Sequence, residues 1–125
     1  MNNNNYWTKR IASFKYAFNG IRLLFKHTPN AILELIIALI AILLGFLLKI
    51  TGIEWVAICI LIGLVFGLEA VNTAIETLSN YSCKNEFNRN IKNVKDLAAG
   101  AVLIAAIVSV IVGIIIFLPK IICLF

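Results

Sequence analysis

The sequence predicts an all-α membrane protein, with one interfacial amphipathic helix and three transmembrane helices in a single domain, residues 1–125. Three observations predict this class: 62% of the residues are apolar, only 14% are charged, and the mean hydropathy is +0.98. A soluble domain has about 45–50% apolar and about 25% charged residues. The composition therefore excludes a water-soluble globular enzyme and an intrinsically disordered chain.

The first predicted element is an amphipathic helix over residues 6–27. Its apolar side chains recur at steps of three and four, which places them on one helical stripe flanked by basic residues. Such a helix lies in the cytoplasmic interface, either as an anchor alone or as a lid over a site among the lipid headgroups. The preceding polar run, residues 1–5, is not followed by a cleavable signal, so the first span is expected to direct insertion. The stripe consists of Trp7, Ile11, Phe14, Phe18, Ile21 and Phe25.

Three apolar runs follow, at residues 31–50, 53–79 and 97–118. A bilayer core of about 30 Å needs about 20 helical residues, so each run can cross once. Pro29 separates the first run from the amphipathic helix, and Pro119 is expected to end the third, because proline disrupts a helix interior. The sequence therefore predicts three spans.

The basic residues predict the orientation. Five lysines and arginines precede the first span and four lie between the second and third, whereas only Lys49 and Lys120 lie on the other side. By the positive-inside rule the amino terminus and the 80–96 loop are cytoplasmic. This distribution accounts for the net charge of +5 without a nucleic-acid partner. The three cysteines lack metal-ligand spacing and are interpreted as packing residues.

A polar face in the second span carries the chemistry. Glu69, Asn72, Thr73 and Glu76 have offsets of 0, 3, 4 and 7, which share one side of a helix. Burying a carboxylate in a membrane costs about 2–3 kcal/mol, which favours a functional role over a helix–helix clamp. Counted from Trp55, Glu69 lies about 9 Å inside the hydrocarbon and Glu76 at the interface. This depth predicts a general base on a lipid hydroxyl at Glu69 and a ligand of Mg²⁺ and nucleotide phosphates at Glu76.

Two further patterns bear on the site. Small residues recur at steps of four in the second and third spans, which is typical of close helix packing. Three spans can hardly enclose a site alone, so we expect an oligomer.

The 80–96 loop ends in two charged residues with two interpretations each. Lys95 is either a topology signal or a phosphate-binding cation, and Asp96 is either a helix N-cap or a site residue. The chain has no P-loop, GxGxxG turn or zinc spacing, so a nucleotide would bind by other means.

Three segments can be compared with known families, and the first two carry polar residues in a specific pattern. Residues 69–76 read E-A-V-N-T-A-I-E, residues 94–103 read V-K-D-L-A-A-G-A-V-L, and residues 14–22 read F-K-Y-A-F-N-G-I-R. The chain thereby resembles the prokaryotic diacylglycerol kinase/undecaprenol kinase family, whose patterns are E-x-x-N-[ST]-A-I-E and K-D-x-[AG]-[AS]-[AG]-A-V. The third segment looks like the surface helix of that family. The resemblance covers residues 9–119.

The resemblance implies a homotrimeric lipid kinase of the bacterial inner membrane, with sites assembled between neighbouring subunits. The reaction it implies is transfer of the γ-phosphate of MgATP to a lipid alcohol at the cytoplasmic interface, with diacylglycerol and undecaprenol both open as acceptors. It assigns catalysis to Glu69 and Asn72, and metal binding to Glu76. Contact with the lipid falls to Glu69, Arg22 and Glu34, and nucleotide binding to Lys9, Arg10, Tyr16, Glu76, Lys95 and Asp96.

The sequence departs from the family ahead of the first span. Where the family has E-x-N, with the glutamate as a second metal ligand, this chain reads Thr28-Pro29-Asn30. Threonine brings no charge, so we expect a lower metal affinity or partial compensation by Glu34. A Mg²⁺ titration of Thr28→Glu tests this, and an unchanged metal requirement would contradict it. An inactive family member is the other interpretation of this change.

Two functions of other classes remain open at this point. A cation-coupled transporter would use Glu69 as its proton carrier, but the sequence shows neither inverted repeats nor a midplane carboxylate. A membrane scaffold would leave Glu69 and Glu76 unexplained. The substitution Glu69→Gln separates the three classes, because a kinase loses phosphate transfer, a transporter loses coupling and a scaffold loses little.

Overall fold

The computed structural model describes residues 3–125, which form four α-helices. Met1 and Asn2, in the polar amino-terminal run, lie outside the described residues. Three of the four helices are long and apolar enough to cross a membrane, which confirms the predicted all-α membrane class. The helices are α1 (Asn3–His27), α2 (Pro29–Leu47), α3 (Gly52–Ser82) and α4 (Arg89–Leu124).

The helix α1 is joined to the membrane helices only at its carboxyl end. Its apolar stripe is exposed, with Trp7 at 65% and Phe18 at 68% of full exposure, whereas Leu24 in its last turns is buried. There the ring of Phe25 lies 5.7 Å from that of Phe66 in α3, centroid to centroid. Most of α1 therefore presents its apolar stripe away from the protein, as an interfacial helix requires.

The three membrane helices pack mainly through α3 and α4, which follow each other after a short turn. Their small core lies near the α2–α3 turn, where Ile50, Ile58 and Ile116 are buried. Most other large side chains of the spans are exposed, which suits helices whose surroundings are lipid. Glu54 closes a capping box with Thr51 and also pairs with Lys120 at 3.0 Å, which ties the start of α3 to the end of α4.

The ends of α4 differ from the sequence prediction. The helix begins at Arg89, because the side chain of Asn88 accepts hydrogen bonds from the amides of Asn90 and Ile91 in the first turn. The interpretation of Asp96 as the N-cap is therefore wrong. The prediction that Pro119 ends the helix is also wrong, since α4 continues to Leu124. Membrane helices tolerate an internal proline, because neighbouring groups compensate for the missing N–H.

The helix α2 ends at Leu47, before the predicted boundary at residue 50, because of a local turn. Lys49 adopts a left-handed conformation with φ of 53°, and the amide of Ile50 donates to the carbonyl of Gly45 at 3.2 Å. This is the hydrogen bond of a Schellman cap, which closes a helix end. The last three predicted residues of the span thus form its cap and not a further turn.

Gly45 is required by close packing at this corner, and a side chain there should destabilise the protein. A Cβ at residue 45 would lie 2.6 Å from the Trp55 ring and 3.1 Å from Ile50. Overpacking of this kind costs about 1–3 kcal/mol, so we expect Gly45→Ala to lower the free energy of unfolding by that amount in detergent. The control is Gly52→Ala, whose Cβ would meet nothing within 4 Å. Equal stabilities of the two variants would contradict this packing.

Only some of the small residues that recur at steps of four in α3 and α4 pack against another helix or side chain among the described residues of the same chain. Ala105 is buried, and the Ser109 hydroxyl donates to its carbonyl at 2.8 Å. By contrast, a Cβ on Gly63 or Gly67 would meet no atom within 4 Å in the described part of the chain. The predicted close packing at these two glycines is therefore not made within the described part of this chain.

Candidate active site on the polar face of α3

The polar face (Glu69, Asn72, Thr73 and Glu76) lies on α3 with a gradient of exposure along it. Glu69 is only 2% exposed, the next two residues are half-buried, and Glu76 is exposed. At about 1.5 Å per residue, these seven steps correspond to about 10 Å along the helix. One end of the face is thus enclosed by protein and the other is open to its surroundings.

The Glu69 carboxylate is a buried acceptor with an oxygen to spare. Its Oε2 atom has no hydrogen-bond partner within residues 3–125, and the side chain of Asn30 in α2 lies beside the carboxylate. A buried carboxylate oxygen without a partner is costly. Such an oxygen is available to accept the proton of a hydroxyl brought beside it.

Glu34 lies close to Glu69 and is the second carboxylate with a buried, unpartnered oxygen in the described part of the chain. It also lines an apolar cavity of about 220 Å³ between α2, α3 and α4, together with Ile58 and Phe66. The structure therefore places a pair of carboxylates at the junction of the polar face with an apolar cavity. This arrangement suits a molecule with an apolar tail and a polar end.

Thr28 joins the corner between α1 and α2 to the polar face. It is buried, and its hydroxyl lies 2.8 Å from that of Thr73, a distance at which one donates to the other. Thr28 occupies the N-cap position of α2 but makes no side-chain capping bond. A neutral hydroxyl already bonded to another hydroxyl is a poor ligand for Mg²⁺, which prefers carboxylate and phosphate oxygens. The structure gives Thr28 a linking contact in place of the carboxylate expected from the family.

Lys95 reaches the end of the polar face through a residue that the sequence analysis missed. Its Nζ atom donates to Oδ1 of Asn80 at 2.9 Å. Asn80 lies eleven residues after Glu69, so it shares the same side of α3. An extension of the offsets to 0, 3, 4, 7 and 11 would have found it. Asp96 instead pairs with Lys92 at 2.6 Å, at an exposed position.

The α1 residues predicted to bind the nucleotide (Lys9, Arg10 and Tyr16) and the lipid (Arg22) are not brought to the polar face within one chain. Lys9, Arg10, Tyr16 and Arg22 are exposed, and in the described residues none of them forms a hydrogen bond or ion pair with the face. The Arg10 guanidinium lies over the Tyr6 ring at 5.1 Å. The candidate site in a single chain comprises Thr28, Glu34, Glu69, Asn72, Glu76, Asn80 and Lys95.

The side chains at this site could bind a magnesium ion only if water and substrate phosphates supply the remaining ligands. Within residues 3–125 no three His, Cys, Asp or Glu side chains are grouped closely enough to hold a metal ion. Magnesium usually takes one or two carboxylates and completes its shell with water and substrate phosphates. The exposed carboxylate of Glu76 fits that pattern, and it would hold the ion with oxygens that the substrate provides.

The chain is similar to known proteins along most of its length. Residues 15–117 match the prokaryotic diacylglycerol kinase family. Undecaprenol kinase of Bacillus subtilis (strain 168) is 39% identical over 108 residues, which cover 86% of this chain and 87% of that protein. Diacylglycerol kinase of Synechocystis sp. is 33% identical over 114 residues, which cover 91% of this chain and 65% of that protein. No solved structure matches the chain at the same stringency.

The three membrane-spanning helices and the family match together define a multi-pass membrane protein that is a lipid kinase. The chain belongs to the prokaryotic diacylglycerol kinase family, which confirms the resemblance found in the sequence. Of the residues predicted at the site, all except Lys9 and Arg10 lie within the matched segment.

Proposed function

We propose that this chain transfers the γ-phosphate of MgATP to the hydroxyl of a membrane lipid alcohol at the cytoplasmic interface. The observation that carries the proposal is the gradient along the polar face. Glu69 is 2% exposed and has a free oxygen, whereas Glu76, two turns away on the same side of α3, is exposed. One carboxylate can therefore meet a lipid hydroxyl while the other meets a solute of the cytosol.

Each residue then has a distinct task in the transfer. Glu69 accepts the hydroxyl proton as the lipid oxygen bonds to the γ-phosphorus and the bond from that phosphorus to the ADP oxygen breaks. Asn72, half-buried between the carboxylates, orients the reacting groups, and Lys95 offsets phosphate charge. Glu76 is the residue that would hold Mg²⁺, which when bound neutralises phosphate charge. Such catalysis is largely positioning and charge stabilisation.

The relatives name two acceptors for this family. The relative named undecaprenol kinase has the higher identity, 39%, and is covered over 87% of its length. The relative named diacylglycerol kinase is 33% identical and is covered over 65%. This supports undecaprenol as the first acceptor to test, with diacylglycerol as the second. The cavity beside Glu34 is apolar, which suits the tail of either lipid.

We also propose that the protein is a homotrimer of the bacterial inner membrane, with its amino terminus and the α3–α4 turn in the cytoplasm. Nine of the eleven lysines and arginines lie on that side, which supports the orientation. Gly63 and Gly67 have open space around them in a single chain, which supports contact with a neighbouring subunit. The α1 residues Lys9, Arg10 and Tyr16 would then meet the polar face of a neighbour.

A single assay tests the reaction. The purified protein in mixed micelles is given γ-labelled ATP with undecaprenol or diacylglycerol, in the presence of Mg²⁺ or of a chelator. We expect label on one lipid, and none when Mg²⁺ is removed. Label on neither lipid, from protein that is folded and trimeric by light scattering, would instead indicate an inactive family member. Label that persists in chelator would overturn the role of the metal.

A further inference from the structure

We propose that Asn80 is a positioning residue that holds Lys95 at the nucleotide end of the polar face. This inference rests on the proposed function, because it assigns Lys95 to the phosphates of ATP. The observation behind it is the bond from Lys95 Nζ to Asn80 Oδ1 at 2.9 Å, which links residues 15 apart and joins α3 to α4.

The location of Asn80 gives this bond its significance. Asn80 lies one turn beyond Glu76 on the same side of α3, about 6 Å along the helix axis. Its backbone is fixed, since it is in the last turns of α3 and its carbonyl accepts the amide of Asn85 at 3.1 Å. The ammonium group is therefore held one helical turn beyond the carboxylate that is proposed to meet Mg²⁺ and phosphate, although Lys95 belongs to another helix.

The chemistry of the acceptor supports a role in ligand binding over a purely structural link. Three lysines have a side-chain acceptor in the described part of the chain. Lys92 and Lys120 are each paired with a carboxylate, Asp96 and Glu54 respectively, which cancels their charge. Lys95 is held by a neutral amide, so the partner brings no negative charge. An ammonium group has three N–H donors, so two remain for phosphate oxygens after the bond to Asn80.

A lysine side chain otherwise has many rotamers, and ordering it when a ligand binds weakens affinity. Asn80 fixes the ammonium group before the nucleotide binds. The conformational entropy of the Lys95 side chain is therefore lost during folding and not during binding. Without Asn80 the charge would still be present but would have to be ordered at binding. The expected signature is a weaker affinity for MgATP with little change in the chemical step.

The test is a double-mutant cycle between Asn80→Leu and Lys95→Met on the full chain, read by MgATP binding and by kinetics. We expect Asn80→Leu to raise the Kd and the KM for MgATP about two- to tenfold, the cost of ordering one flexible side chain, with kcat and the lipid KM within twofold. In the Lys95→Met background it should add nothing, because its effect passes through Lys95. The matched control is Asn93→Leu, an exposed position near the same end of α4, which should leave both constants unchanged.

The outcomes separate this inference from the proposed function. A wild-type chain that binds no MgATP overturns the proposed nucleotide site. A wild-type chain that binds MgATP, with Asn80→Leu unchanged or with additive effects in the cycle, overturns the positioning role alone. If Asn80→Leu lowers the thermal stability so far that the protein does not remain folded, Asn80→Ala takes its place in the same cycle.

Discussion

Replacing Glu69 with glutamine is expected to lower phosphate transfer by about 10²–10⁴-fold, the usual contribution of a general base. Glutamine has nearly the same volume, so the packing of α2 against α3 is kept. It also removes a buried charge, so the variant should be at least as stable as the wild type. The measurement is the initial rate of label transfer to the accepted lipid at saturating MgATP, with thermal unfolding in the same detergent.

The control for this prediction is a second carboxylate of α3, far from the polar face. Glu54→Gln lies at the opposite end of the helix and weakens its pairing with Lys120 and its capping bond with Thr51. It should keep its rate within about twofold, with at most a modest loss of stability, about 1 kcal/mol for such a pair. A Glu69→Gln variant that retains more than a tenth of the wild-type rate would show that another group takes the proton.

Replacing Glu76 with glutamine is expected to act through the metal. The substitution removes the exposed negative charge of the polar face, and a neutral amide oxygen is a weaker ligand for Mg²⁺. We expect the Mg²⁺ concentration for half-maximal rate to rise at least about tenfold and the maximal rate to fall about 100-fold, in line with the loss of a charge-stabilising group. A Mg²⁺ titration of the rate, together with MgATP binding, measures both effects.

Two further variants make this result specific. Glu86→Gln removes an exposed carboxylate from the α3–α4 turn and should leave the Mg²⁺ dependence unchanged. Thr28→Glu adds the carboxylate that the family has, and it should lower the half-maximal Mg²⁺ concentration although it breaks the bond to Thr73. If Glu76→Gln keeps the wild-type Mg²⁺ dependence, the metal is held elsewhere.

The helices and the polar face could be predicted from the sequence because they depend on local patterns. Apolar runs of about 20 residues determine the spans, and a repeat near 3.6 places Glu69 and Glu76 on one side of a helix. The helix ends were less predictable. Asp96 and Pro119 both looked like boundaries, but a stronger cap at Asn88 extended α4 backwards, and the membrane helix continued through its proline.

The contacts that complete the site could not be predicted, because they join residues far apart in the chain. Thr28 and Thr73 are separated by 45 residues, and Lys95 and Asn80 by 15. No periodicity relates such partners, and their pairing depends on how α3 packs against its neighbours. Lys120 shows the same limitation. Its charge indicated orientation in the sequence, whereas in the structure it pairs with Glu54 across 66 residues.

The enclosure of Glu69 has a consequence for fidelity. A base that activated water as readily as a lipid hydroxyl would waste ATP in hydrolysis, and water is the more abundant nucleophile. With 2% of its surface exposed, Glu69 is screened from bulk solvent, and Glu34 beside it lines the apolar cavity. Discrimination between water and a lipid hydroxyl would then depend on which of them partitions into the apolar surroundings of Glu69. This selection would precede any hydrogen bond between the acceptor and the base.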